Sequence, residues 1–299
     1  MSESPICAPL PIPDLGTTYG AMLIGVIFAT FLQGILTLQT VIYYDSYPSD
    51  PISTKLTVAI VWCFDTFHLV LIAQSAYHYL INNWGVLPAL AVSTWELDVN
   101  ILFIGLSSFV CQLFFMKRIW IFSKRNVLLI GFLAALCTTI IALDILVTVQ
   151  ILQNRSVAEF GEKKTEIIIT FTLGAISDLV LASLLCYYVR RNTSGFEKTD
   201  SMISLIVKYA VTTGLVTSIW GILTLVAYFA SPDGFSFVAM HFSLGRLYTN
   251  ALLATLNSRK NLRSILQGTT LKSSARKEET GEPRNESMSM SIPLGNYTV

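Results

Sequence analysis

Seven polar side chains set inside long apolar runs are the residues of this chain best able to do chemistry. Asp65 and His68 lie three positions apart in one run, Asp98 and Gln112 share a second, Asp178 occupies a third, and His241 and Arg246 stand in the last. An ionisable group in hydrocarbon costs at least a few kcal/mol unless it pairs or meets water, so each marks an interaction. Asp65 and Arg246 are expected to meet, because one guanidinium–carboxylate contact removes two charges from lipid. Such a pair is either an interhelical clamp or part of a ligand or proton site. Wound as a helix, Asp98, Gly105, Ser108 and Gln112 fall within an arc of about 80°. A stripe so narrow faces either a close helix–helix contact or a wet cavity. Asp144, like His78, belongs nearer the end of its run.

Catalytic readings are thinner. Asp65 and His68, with His241 as a third ligand, have the residue types for a zinc ion, but paired histidines four apart are missing. No nucleophile elbow and no glycine-rich phosphate loop occurs. Lys208 is too shallow in its run for a buried Schiff base. The expectation is a non-enzyme with no cofactor and no resident metal.

What must position these groups is a set of membrane helices. Charged residues make up 13% of the 299, about half the usual soluble share, and mean hydropathy is +0.60. A net charge of +1 argues against a nucleic-acid partner. Seven runs are long enough to cross a hydrocarbon core of roughly 30 Å: near 19–42, 55–80, 95–115, 127–150, 166–189, 201–230 and 235–256. Barrel strands would be shorter and alternate in polarity. Helix breakers fill the joints, as at Pro48 and Pro51, Asn82 and Gly85, Asn192 and Gly195, Ser231 and Gly234. The fold expected is all-α, a polytopic seven-transmembrane-helix bundle whose last two helices form a tight hairpin.

Basic residues orient it. Fifteen of the 20 Lys and Arg fall on the side of Lys117, Arg118, Arg190, Arg191 and the C-terminal tail, against three on the other. Positive loops stay in the cytoplasm, which places the N-terminus outside. The chain then divides into an extracytoplasmic segment 1–18, a membrane domain 19–256, a basic amphipathic helix or fraying stop at 257–268, and a disordered cytoplasmic tail 269–299. Asn154 heads a glycosylation sequon on the outer side. Of the cysteines only Cys7 is clearly outside, so no outer disulfide is expected.

Four separated segments carry a resemblance: DPISTKLTVAIVWCFDTFHLVLIAQSAYHYLINNWG (50–85), FFMKRIWIFSKRN (114–126), CYYVRRNTSGFEKTDSMI (186–203) and LGRLYTNALLATLNSRKNLR (244–263). Together they resemble the seven-span membrane proteins of basidiomycete fungi that are classed as a domain of unknown function. The resemblance implies a seven-helix membrane domain with an outside N-terminus and no established activity. It marks Asp65, His68, Tyr79, Arg118, Trp120, Arg190, Asp200, Asn250 and Asn257 as motif positions, while Gln74 stands where the family commonly has His.

Two functions follow as expectations. A receptor-like sensor would dock a cytoplasmic signalling partner on Lys117, Arg118, Arg190 and Arg191, although the triplet and Asn-Pro motifs of the common receptor superfamily are missing. A small-solute or proton transporter or channel would use the polar stripes, although no broken helix is evident. An intramembrane metal-dependent hydrolase ranks third. The bilayer is the one certain partner, in the plasma membrane or another membrane of the secretory pathway.

Overall fold

Backbone amides inside a bilayer have no water to bond, so an apolar chain satisfies them within helices. The computed structural model describes residues 16–90, 92–153, 164–191, 197–231 and 234–279, and among them no strand occurs. The expected outer segment up to residue 15, the Asn154 sequon and residues 280–299 of the expected tail lie outside the described residues.

After one π turn at Gly16–Gly20, helix α1 runs Ala21–Ser46. Helix α2 spans Ile52–Tyr77 and passes into a second π turn, His78–Asn82. A single turn, α3 (Leu87–Leu90), leads to α4 (Trp95–Phe122). Then come α5 (Val127–Gln153), α6 (Lys164–Arg191), α7 (Glu197–Ala230) and α8 (Ser236–Glu279). Local chemistry sets the starts. Pro51, extended at ψ 145°, opens α2. Thr94 Oγ1 caps α4 by accepting the Leu97 N–H at 3.3 Å, and Asn126 Oδ1 caps α5 through the Leu129 N–H at 3.2 Å. Between α4 and α5, Lys124 and Arg125 hold φ of 55° and 63°, a left-handed pair stabilised by the Arg125 N–H on the Trp120 carbonyl at 3.0 Å.

Side-chain contacts give the direction of each long helix. Gln33 meets Thr66 and Thr37 meets Trp62, so α2 returns along α1. Ser107 meets Asp65 and Thr94 meets Ser75, so α4 reverses again. Trp220 bonds Met240 while Tyr228 packs on Phe237, which makes α7 antiparallel to α8. Asn250 and Asn257 reach the carbonyls of Leu32 and Gln39 in matching order, so α1 and α8 run parallel. The seven long helices close into a ring, α1 packing on both α2 and α8, with α4 touching α2, α5, α6 and α8 from within.

Among the described residues, five helices are long and apolar enough to cross a membrane: Gly16–Ser46, Ile52–Asn82, Trp95–Phe122, Val127–Gln153 and Ile168–Tyr188. Their outer faces are oily; Ile24, Phe31, Leu128 and Phe132 are each at least 60% exposed. Charged and polar groups occupy the inside instead, among them Asp65, His68, Asp98, Asp178 and Arg246. That distribution is the reverse of a water-soluble fold and marks a helical membrane protein.

Two boundaries differ from the sequence expectation. Helices overrun their apolar runs, α4 reaching Phe122 rather than 115, because backbone hydrogen bonding continues past the point where lipid ends. Residues 257–268, expected as a short amphipathic helix or a fraying stop, continue α8, which runs unbroken to Glu279 and takes in the start of the expected tail.

Candidate functional site

The seven candidate residues do not form one site. They divide between a buried polar clamp, a cavity beside it, and Asp98.

The clamp is centred on Arg246, 1% exposed in the first third of α8. Its Nε donates to Gln33 Oε1 at 3.3 Å, Nη1 to His68 Nδ1 at 2.9 Å and to the Phe242 carbonyl at 2.8 Å, and Nη2 to the Asp65 carbonyl at 2.9 Å. The expected guanidinium–carboxylate contact is therefore corrected: Arg246 binds the backbone oxygen of Asp65, not its side chain. The carboxylate turns to two hydroxyls, accepting from Ser107 Oγ at 2.8 Å and from Thr249 Oγ1 at 2.5 Å. The physical reason is placement. Hydroxyls from α4 and α8 flank the carboxylate, while the carbonyl of the same residue keeps a spare lone pair toward the guanidinium. Because a guanidinium only donates, His68 Nδ1 must accept, which fixes the neutral tautomer with its proton on Nε2. Gln33 Nε2 continues the network to Thr66 Oγ1 at 2.9 Å. Four helices, α1, α2, α4 and α8, are tied by these bonds.

Beside the clamp, between α4, α5, α6, α7 and α8, lies a cavity of about 130 Å³. Gln112, Asp178 and His241 line it, together with Gly105 and Ser108 of the expected stripe. Asp178 Oδ2 accepts the Tyr248 hydroxyl proton, Oδ1 makes no hydrogen bond, and Gln112 and Thr217 stand beside it. The carboxylate of Asp144 also faces this space. A Cβ on Gly105 would lie 2.5 Å from Asp144 Oδ2, so only glycine leaves the carboxylate room there. The His241 ring packs edge-on against Phe171, centroids 5.1 Å apart. The remaining wall is mostly aliphatic, and no Lys or Arg among the described residues contributes to it. A second, smaller cavity of about 30 Å³ shares Gln112, Asp178, Thr217 and Tyr248 with the first.

Asp98 sits apart from its stripe: it is fully buried but does not line the cavity, and Asn100 takes that place. Asp65, His68 and His241 do not gather as zinc ligands. Among the described residues no three His, Cys, Asp or Glu side chains converge as a metal site requires.

At the opposite end, the expected partner surface is partly corrected. Lys117, Arg190 and Arg191 are exposed, but Arg118 is 3% exposed and lies over the Phe114 ring at 4.7 Å. The helical turn carrying it faces α8 rather than solvent. Arg259, read in the sequence as part of a basic membrane-facing helix, turns inward to Asp50 at 2.6 Å and stacks over Tyr47 at 4.4 Å.

Sequence reasoning missed Gln33, Ser107, Thr249 and Tyr248. Hydroxyl and amide residues are common in membrane helices, where they return hydrogen bonds to their own backbone, so type alone did not single them out. A usable signal existed in α8: Phe242, Arg246 and Thr249 share one helical face, and His241, Leu244 and Tyr248 share the next.

With that geometry in place, the comparisons can be set beside it. Residues 174–261 match the model of a family described as "Family of unknown function (DUF6534)". That family has no assigned role. The match runs from within α6, through α7, to the part of α8 that carries His241, Arg246, Asn250 and Asn257. No curated protein and no solved structure matches the chain.

Proposed function

We propose that this chain is a seven-span membrane protein of the fungal type its motifs resemble, acting without catalysis as a receptor-like sensor in the plasma membrane or the secretory pathway. Its N-terminus lies outside and its C-terminus in the cytoplasm. The observation that carries the reading is the placement of the larger cavity. Its lining begins at Leu97 and Asn100, Val147 and Ile151, Thr170 and Phe171, and Phe235 and Phe237, all at one end of the bundle. It ends near mid-depth at Gln112, Asp178, Thr217 and Tyr248. The distribution of basic residues assigns that end to the outside. A ligand entering there would rest against α8, whose other face holds the clamp and whose inner end holds Arg259 and Asp50. Exposed Lys117, Arg190 and Arg191 on the cytoplasmic side supply a surface for a signalling partner.

Proximity labelling from a C-terminal fusion tests this. The sensor reading expects a signalling protein among the labelled neighbours, reduced when Lys117, Arg190 and Arg191 are changed together to Gln; labelling of transport or structural neighbours alone would overturn it.

A second reading, a carrier or channel, is favoured by one observation: the two cavities meet at Asp178 and its neighbours, as the halves of a path would. Reconstituted protein would then move a solute or protons, and Asp178→Asn would stop the flux.

A further inference from the structure

Among the described residues the cavity walls carry two carboxylates, Asp144 and Asp178, and one imidazole, His241, with no Lys or Arg. Asp178 is 5% exposed and its Oδ1 makes no hydrogen bond. Arg246 of the neighbouring clamp is engaged on all three nitrogens. Two carboxylates in a mostly apolar space, met there by neutral donors such as Tyr248, Gln112 and Thr217, define what the space lacks: a positive charge from elsewhere. The rest of the lining is apolar, including Ile101, Ile104, Ile140, Ile141 and Phe109. A volume of about 130 Å³ is comparable with the ~150 Å³ cavity that takes benzene.

We propose that this cavity binds a small organic ammonium, a protonated amine on an apolar body of about the size of one ring. The ammonium donates to Asp178 Oδ1, its apolar body extends from there along Phe109, Ile140 and Ile141, and Asp144 contributes a second negative charge to the same space. This ligand class rests on the sensor reading for its biological use, but binding itself does not depend on any signalling partner.

The test uses the full chain in lipid nanodiscs and two matched probe pairs, benzylamine against benzyl alcohol and n-hexylamine against n-hexanol. Thermal unfolding is followed as each probe is titrated to millimolar concentration, since a ligand of the folded state raises Tm saturably. The amine of at least one pair should raise Tm saturably while its alcohol does not. Asp178→Asn should weaken that amine at least tenfold, with Asp144→Asn as the second variant should the first fail to fold. Equal shifts from amine and alcohol would overturn the ammonium assignment while leaving the cavity a ligand site. No saturable shift from either amine, or an amine effect unchanged in both variants, would also overturn it. None of these outcomes touches the labelling experiment, so the sensor reading stands or falls separately.

Discussion

Arg246 makes four hydrogen bonds to acceptors on three helices, and no smaller donor spans that set. Arg246→Met leaves the Asp65 carboxylate without its neighbouring charge, a loss expected at about 3–5 kcal/mol. Arg246→Lys should recover part of it, because an ammonium reaches some acceptors but not the planar fork. Asp65→Asn should cost less, about 1–3 kcal/mol, since an amide oxygen still accepts one of the two hydroxyls. Thermal melts in one detergent would give the order wild type, Asp65→Asn, Arg246→Met. Arg118 is the opposite case. Buried, with Nε and Nη1 unpartnered and only the Phe114 ring beneath it, it spends desolvation for little return; Arg118→Met should leave Tm unchanged or raised, and a clear fall would reveal a partner. At this scale the sequence was half legible. Charged residues in apolar runs are rare enough to notice, so Asp65, His68 and Arg246 stand out. Which atom of Asp65 faces the guanidinium depends on Ser107 and Thr249, and nothing in their types announces that role.

Between elements, contact quality turns on small residues. A Cβ on Gly25 would sit 2.6 Å from the Ala239 Cα, where α1 and α8 cross most closely, whereas Gly34 on the same helix has open space. Gly25→Val should therefore separate α1 from α8 and cost about 1–3 kcal/mol, and Gly34→Val should be nearly silent in the same melt. Asn250 and Asn257 add the matching polar rungs, each donating to an α1 carbonyl. The five long apolar helices among the described residues were readable from hydropathy because a bilayer demands about 20 apolar residues per crossing. Helix ends were not, since α8 continues into polar sequence where hydropathy sees a boundary. Nor was the pairing of α1 with α8, which depends on contacts more than 200 residues apart in sequence.

Across the whole molecule, the polar inside and oily outside set what solvates it. Phe31, 63% exposed near the middle of α1, faces outward; Phe31→Asp should cut membrane insertion, by about 2.5–3.5 kcal/mol on an insertion scale, as read from the yield of membrane-integrated protein. Orientation is checked by tags at each end and protease on sealed vesicles: the expected result is an N-terminal tag cleaved from outside and a C-terminal tag protected. The charge count alone carries that expectation. The cavity was not legible in the sequence, because five helices build it and only their packing decides that Asp178 and Asp144 share one space.

Helix α8 is a shaft with two working sides. One side is bolted by Arg246 and Thr249 into α1 and α2; the adjoining side, His241, Leu244 and Tyr248, forms cavity wall. Turning it by a single residue's worth of angle, about 100°, would carry the bolted side round toward the space and the wall side toward the bolts. Whatever fills that space and holds His241 and Tyr248 in place thus also bears on the torque that the bolts resist.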